Sequence, residues 1–299
     1  MVGLGELIWD LLPDGKRLGG APSNFAYISR LLGNDAAVAS RVGRDELGRE
    51  AAGVLGARGV RADFLQVDPR HPTGTVGVEI GEGGEARFKV NENSAWDYLE
   101  MSPAWGRLAP LADVVCFGTL GQRQREARET IHLFLAATRR DALRVFDVNL
   151  RHSFFTTEML SRSLGAADLV KLNAEELAAV AGMLGLAGRE REGWCEQLLA
   201  AFGLKLVAVT DGGRGSLLVA RDAVAEHRGH KVRVVDTIGC GDAFTATLAH
   251  CFVRRVPLEE AGEMANRMGA WVATRAGATP DADPFTVGQI LGAPVEEWG

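Results

Sequence analysis

From about Leu111 onward the chain alternates short apolar runs with helix-length stretches, and this rhythm constrains the fold more than any other feature. "ADVVCFGTL" is followed by "REARETIHLFLAATRR", then "LRVFDVN" and "SRSLGAAD". "LVKLN", "AEELAAVAGMLG", "GWCEQLLAAFG" and "KLVAVTDG" continue the pattern. Strands that are apolar along their whole length are buried on both faces, as in a parallel sheet covered by helices. Polar residues or glycines sit at the expected strand ends: Gly118-Thr119, Asp147 to Asn149, Asn173, and Thr210-Asp211-Gly212. Ligands of open α/β sheets bind outside the carboxyl ends of the strands, so four such ends point to one crevice.

The first third reads differently. "TGTVGVEI" and "ARFKVNEN" flank the glycine-rich "GEGGE" and predict a β-hairpin. One α/β unit over residues 1–299 with a small β lid, from segments about 9–20 and 72–98, is the expected organisation. The chain has 299 residues, 46% hydrophobic and 24% charged, which suits a globular core. Net charge is −6, so no global basic field favours nucleic acid or an anionic membrane. Cys116, Cys195, Cys240 and Cys251 form no C-x-x-C pair and no zinc spacing, which suits a reducing cytosol. Glu6 and Asp10 interrupt the apolar N-terminus, so a signal peptide is not expected. No run of about 18 uncharged apolar residues predicts a membrane span.

The stretch "DTIGCGDAF" (236–244) carries the most chemistry. "KVRVVDT" before it places Val232, Val234 and Val235 in a strand-like pattern, and "GDAFTATLAHCFVRR" after it predicts a helix with Phe244, Leu248, Cys251 and Phe252 on an apolar stripe. Glycines at a helix start let backbone N–H groups converge on an anion. Asp242 then falls in the first turn, where the helix dipole favours the ionised carboxylate. It reads either as a base for a hydroxyl or as a helix cap. No G-x-x-x-x-G-K-[ST] exists, and "GLGELI" has Ile8 in place of the third glycine of a dinucleotide fingerprint.

With its companions, the loop resembles a known family. "DTIGCGD" resembles the D-T-x-G-A-G-D motif of the PfkB, or ribokinase-like, carbohydrate kinases. "LGGAPSNFAYISRLLG" (18–33), "RVGRDELG" (41–48), "KLNAEE", "TDGGRGS" and "ANRMGAWVATRAGATP" (265–280) resemble the family's other motifs in order. The resemblance implies a three-layer α/β/α core with a mostly parallel sheet and a β-sheet lid. It implies an ATP- and Mg2+-dependent kinase of a small sugar, with no nucleic acid or membrane partner.

The resemblance also implies roles. Asp242 is similar to the catalytic base, with Gly239, Cys240 and Gly241 as the anion hole; Cys240 stands where alanine is usual. A reactive thiol at a helix start is one reading of Cys240, and a space-filling side chain is the other. Asp10, Gly20 and Asn24 resemble the sugar-binding set, with Asn24 also readable as a helix N-cap. Asn173, Thr210, Gly212, Gly215 and Asn266 resemble the nucleotide-binding set. Glu176 resembles a residue organising Mg2+ through water, and otherwise reads as a solvated or capping glutamate. A monovalent-cation site (K+) near Asp236 and a homodimer through the lid are further family features.

"GELIWD", "GGAPSNFA" and "DVNLR" look most like the fructokinase branch, which makes fructose the expected acceptor. Arg151 is either a phosphate contact or a surface arginine. Asp97, in "NENSAWDYL", is expected to approach the sugar, with Trp96 over it or in the lid core. 2-Keto-3-deoxygluconate kinase is the alternative and would use a lid cation such as Arg87 or Lys89; ribokinase is a further alternative. A non-catalytic sugar or nucleotide sensor on the same fold, and a nucleoside kinase, are the competing classes.

Overall fold

A computed structural model describes residues 1–12, 15–80, 86–151, 154–282, 286–288 and 292, without the side chains of 78–80 and 86–88. Thirteen strands form among them: β1 (Val2–Leu4), β2 (Ile8–Leu12), β3 (Gly15–Gly19), β4 (Ala37–Gly43), β5 (Leu65–Asp68), β6 (Gly74–Ile80), β7 (Ala86–Val90), β8 (Val114–Gly118), β9 (Leu143–Asp147), β10 (Leu169–Asn173), β11 (Leu206–Thr210), β12 (Ser216–Ala220) and β13 (Ala223–His227). The helices are α1 (Ala21–Leu31), α2 (Glu46–Ala57), α3 (Pro103–Leu108), α4 (Arg125–Ala136), α5 (Thr157–Ala166), α6 (Ala174–Leu184), α7 (Arg191–Phe202), α8 (Cys240–Val253) and α9 (Leu258–Ala273).

Nine strands make one sheet in the order β13-β12-β11-β10-β9-β8-β1-β4-β5. The run from β11 to β5 is parallel, and β12 and β13 close the other edge antiparallel. Alternation along β8 shows why the strands read as unbroken apolar runs. Val114 and Cys116 join a core with Phe25, Leu55, Leu248 and Trp271, from α1, α2, α8 and α9. Val115 and Phe117 join the opposite core with Trp105, Phe134, Leu164, Leu177 and Leu198, from α3 to α7. Both faces are covered, so each strand residue is apolar whichever way it points. The expected three-layer core with its own smaller sheet is present.

That smaller sheet has the order β3-β2-β6-β7. The expected hairpin is β6 paired antiparallel with β7, and β2 joins β6 in parallel. The connecting "GEGGE" lies outside the described residues.

A buried ion pair ties the small sheet to the core. Arg123, just after β8, donates Nε to Asp97 Oδ1 and Nη2 to Asp97 Oδ2, each at 2.7 Å. Its Nη2 also donates to the Asn91 carbonyl, one residue beyond β7. The Asp97 carboxylate further accepts from Ser94 N–H. Asp97 is fully buried with these donors, so the structure does not bring it to the cleft as expected. Trp96 packs beneath the Arg123 guanidinium, 4.1 Å from its ring centre, and is core rather than sugar platform.

Breaking a buried pair leaves one charge uncompensated, at about 3–5 kcal/mol. Arg123→Met is therefore expected to destabilise the fold by about 3–5 kcal/mol in denaturant titration. A loss below about 1 kcal/mol, the surface-pair range, would show that the pair does not anchor the lid root.

Candidate active site

The C-terminal ends of β8, β9, β10 and β11 lie side by side, with Gly118 opposite Asp147 and Asn173 opposite Thr210. Together with α1, the start of α8 and the small sheet, they bound a cleft of about 1760 Å³. Asp10, Gly20, Asn24, Arg151, Asn173, Glu176, Thr210, Gly212, Gly215, Gly239, Cys240, Gly241, Asp242 and Asn266 all line it. Asp97 is the one expected site residue outside this lining.

The floor is a charge cluster. Lys171, in the middle of β10, is buried with its Nζ 3.1 Å from Asp147 Oδ1 at the end of β9. Thr245 Oγ1 of α8 donates to Asp147 Oδ2 at 2.8 Å. Burial alone would lower the Lys171 ammonium, but Asp147, Glu176 and Asp242 together hold it above its ordinary value. Lys171 was legible only as a strand residue, because a buried strand lysine gives no signal until its partner strand is known.

Asp242 is the third residue of α8, after an N-cap at Gly239. It is not the cap. Its Oδ2 accepts from Asn24 Nδ2 of α1 at 2.7 Å. Burial first, and the Asp147 carboxylate second, push its carboxyl up to about 6, against the Asn24 hydrogen bond and the Lys171 and Arg151 charges. Desolvation thus outweighs the helix start, which favours the ionised form, in setting this carboxyl. Asn24 lies inside α1, whose N-cap is Gly20, so the N-cap reading of Asn24 also fails. Asn24 Oδ1 is buried with no hydrogen-bond partner among the described residues.

Backbone shape explains the loop glycines. Gly239 has φ 79°, and a Cβ there would lie 2.4 Å from the Ala278 side chain. Gly215 has φ 100°, and a Cβ would lie 1.8 Å from the His227 carbonyl. Only glycine adopts these positions without displacing the opposite wall. Cys240 N–H donates to the Thr237 carbonyl at 3.4 Å, whereas the next N–H groups of the first turn, those of Gly241 and Asp242, have no acceptor one turn earlier in the helix, the arrangement that suits an anion. Burial pushes the Cys240 thiol up to about 12, with Asp236 and Asp242 adding to it, so the reactive-thiol reading falls.

Asn173 and Glu176 form a capping box at the start of α6. Glu176 Oε2 accepts from Asn173 N–H at 2.8 Å, and its Oε1 accepts from Leu150 N–H at 2.9 Å. The capping reading therefore holds, and the same carboxylate still borders the cleft. Asn266 of α9 donates Nδ2 to Ser216 Oγ at 2.7 Å. Asp236 accepts from Ile238 N–H and Gly277 N–H, both at 2.9 Å, tying the loop to 276–279.

The segment 228–238 is not a strand. Val235 N–H donates to the Ala273 carbonyl at the end of α9 instead of to a neighbouring strand. Val234 and Val235 are exposed, and Val232, Val234 and Ile238 line the cleft. Their apolar side chains wall the cleft.

Two further lining residues escaped the sequence. Glu6 is buried with Oε2 unpartnered among the described residues, and burial pushes its carboxyl up to about 7, with Asp242 adding to the shift. Arg17 of β3 pairs in register with Asp10 and lies against Gly277 across the cleft. Burial raises the Asp10 carboxyl while Arg151 and Arg17 oppose it. Among the described residues, Lys16 and Arg17 of β3 are lid cations that line the cleft, whereas Lys89 is outside the lining; the Arg87 side chain lies outside the described residues.

The chain is 33% identical to a fructokinase of Klebsiella pneumoniae over 264 residues, covering 82% of this chain and 81% of the relative. It is 28% identical to a fructokinase of Vibrio alginolyticus, covering 92% of each. Its fold superposes on an uncharacterized sugar kinase of Pyrococcus horikoshii with TM-score 0.81 at 25% identity, over 96% of this chain and 98% of that one. A fructokinase of Vibrio cholerae O395, solved with fructose, ADP and calcium ion, gives TM-score 0.79 at 27% identity, over 96% and 97%. Residues 14–284 match the pfkB family carbohydrate kinases. The chain belongs to that family and is a phosphotransferase acting on a sugar hydroxyl.

Proposed function

We propose that the chain transfers the γ-phosphoryl group of ATP to a primary hydroxyl of fructose, with Asp242 as the base. The observation that carries this reading is Asp242 itself, at the start of α8, open to the cleft and held by Asn24. A carboxyl near 6 is mostly ionised at neutral pH yet basic enough to accept a hydroxyl proton in the transition state. The unpartnered Asn24 Oδ1 suits a sugar hydroxyl donor. Asp10 and Gly20 complete the sugar end, where Arg151 balances charge near Asp10 and Asp242.

Backbone N–H groups of 239–242 would stabilise the transferred group. Asn173, Thr210, Gly212, Gly215 and Asn266 would border the nucleotide, with Val232, Val234 and Ile238 as its apolar wall. The oxygen donors at this end fit Mg2+: Glu176 and Asn173 would hold it through water, and the bound ion would offset phosphate charge. A K+ site beside Asp236 belongs to the same reading, supported by the potassium-bound form of the Vibrio cholerae fructokinase double mutant. The small sheet would close over the sugar and exclude water. Its exposed Leu11 supports a homodimer through that sheet.

Arg17 favours one second reading, an acidic sugar of the 2-keto-3-deoxygluconate type, because it adds a lid cation beside Asp10. A kcat/KM panel over fructose, ribose, tagatose and 2-keto-3-deoxygluconate separates the two. Fructose is expected to lead; a lead for the acid transfers the assignment to that sugar.

Asp242→Asn is expected to lower kcat about 10²–10⁴-fold while calorimetry still detects sugar binding. Near-normal kcat in this variant would remove the base assignment. Because the base must be ionised, kcat/KM should fall below an apparent pKa of about 6. The Lys171 charge lowers the Asp242 pKa, so Lys171→Met should move that acid limb to higher pH. An unmoved limb would show that the ammonium does not act on the base.

A further inference from the structure

Away from the cleft floor, the described residues bring together a cluster with the chemistry of a metal site. His227 ends β13, His230 follows in the 228–238 segment, and Glu263 lies on α9. His227 Nε2 is 2.5 Å from Glu263 Oε2, and His230 Nε2 is 3.6 Å from Glu263 Oε1. One ligand atom from each residue lies within 4.8 Å of the other two. All three side chains are half-buried. β13 is an edge strand, so the cluster joins the sheet edge to α9, and His230 also borders the nucleotide end of the cleft.

We propose that His227, His230 and Glu263 form a binding site for a transition-metal ion of the zinc class, distinct from the Mg2+ position at Glu176. Two imidazoles and one carboxylate are a zinc donor set, with a further position left for water. Arg267 Nε donates to Glu263 Oε1 at 2.5 Å. That contact orients the carboxylate and leaves Oε2 facing His227, as outer-shell partners of metal ligands do, while His230 lies on the Oε1 side. The same guanidinium opposes any cation held by charge alone. It therefore disfavours Mg2+, Ca2+ and K+, and leaves ions that bind nitrogen strongly.

The site has an internal signature. Gly229 N–H donates to His227 Nδ1 at 2.9 Å, which assigns the ring proton to Nε2, facing Glu263. An ion on Nε2 moves that proton to Nδ1, with no net change in proton count. Two N–H groups would then face each other, so the Gly229 contact must be given up. Metal binding is thereby coupled to the 228–238 segment, part of which lines the cleft.

The test titrates the full chain, stripped with chelator and free of nucleotide, with ZnCl2 and in parallel with MgCl2. Calorimetry and native mass spectrometry are expected to find one zinc per chain at this cluster and no magnesium there. Affinity should fall at least ~10-fold in Glu263→Gln and be lost in His227→Asn. Hydrogen exchange at the Gly229 amide should speed up on zinc loading in the wild type and stay unchanged in His227→Asn. Metal-free melting curves show whether each variant folds; if His227→Asn does not, Glu263→Gln and His230→Asn carry the reading. No zinc uptake would leave only an ion-free His–Glu–Arg cluster and overturn the proposal. Zinc affinity undiminished in the folded variants would place the ion on other groups, such as Cys240, and overturn it too.

Discussion

The ion pair between Lys171 and Asp147 is the interaction on which the site rests. It sits at the carboxyl edge of the central sheet, where β9 and β10 run side by side and both residues are buried. Burying either charge alone would cost several kcal/mol. Together they form a fixed dipole beneath the start of α8, held from above by Thr245. Asp242 lies close enough to feel this pair: desolvation and the Asp147 charge raise its proton affinity, while the Asn24 hydrogen bond and the Lys171 and Arg151 charges lower it. The glycine loop lies beside it, while burial and the charged floor act on the carboxylate itself.

This arrangement explains why the fold and the chemistry are inseparable here. In an open α/β sheet the groups that meet a ligand gather outside the carboxyl ends of the strands. The chain places Asp147, Asn173 and Thr210 at those ends, and α1 and α8 bring Asn24 and Asp242 over them. The smaller sheet adds Asp10 and Arg17 from the open side. Its root is fixed by Arg123, which reaches Asp97 and the Asn91 carbonyl from the core.

Much of this was legible from residue order. Buried strands announce themselves as apolar runs, and helix starts announce themselves by glycine and aspartate. The failures have a common physical form: each depended on a contact between distant residues. Asp97 looked available until Arg123 was found 26 positions away. Lys171 looked like an ordinary strand residue until β9 placed Asp147 beside it. Val232 and Val234 carry a strand pattern yet wall the cleft, because apolar alternation does not distinguish a sheet strand from a cleft wall. A local dipole is visible in sequence, whereas desolvation by α1 and the sheet edge is not.

Burial, against the pull of the helix start, sets the proton affinity of Asp242. The most direct measurement is a carboxyl-carbon NMR titration of Asp242 in the ligand-free protein, assigned by comparison with Asp242→Asn. A midpoint near 6 is expected. A midpoint near the ordinary aspartate value of about 3.9 would contradict it, and would return control of the base to the helix dipole and the Asn24 hydrogen bond.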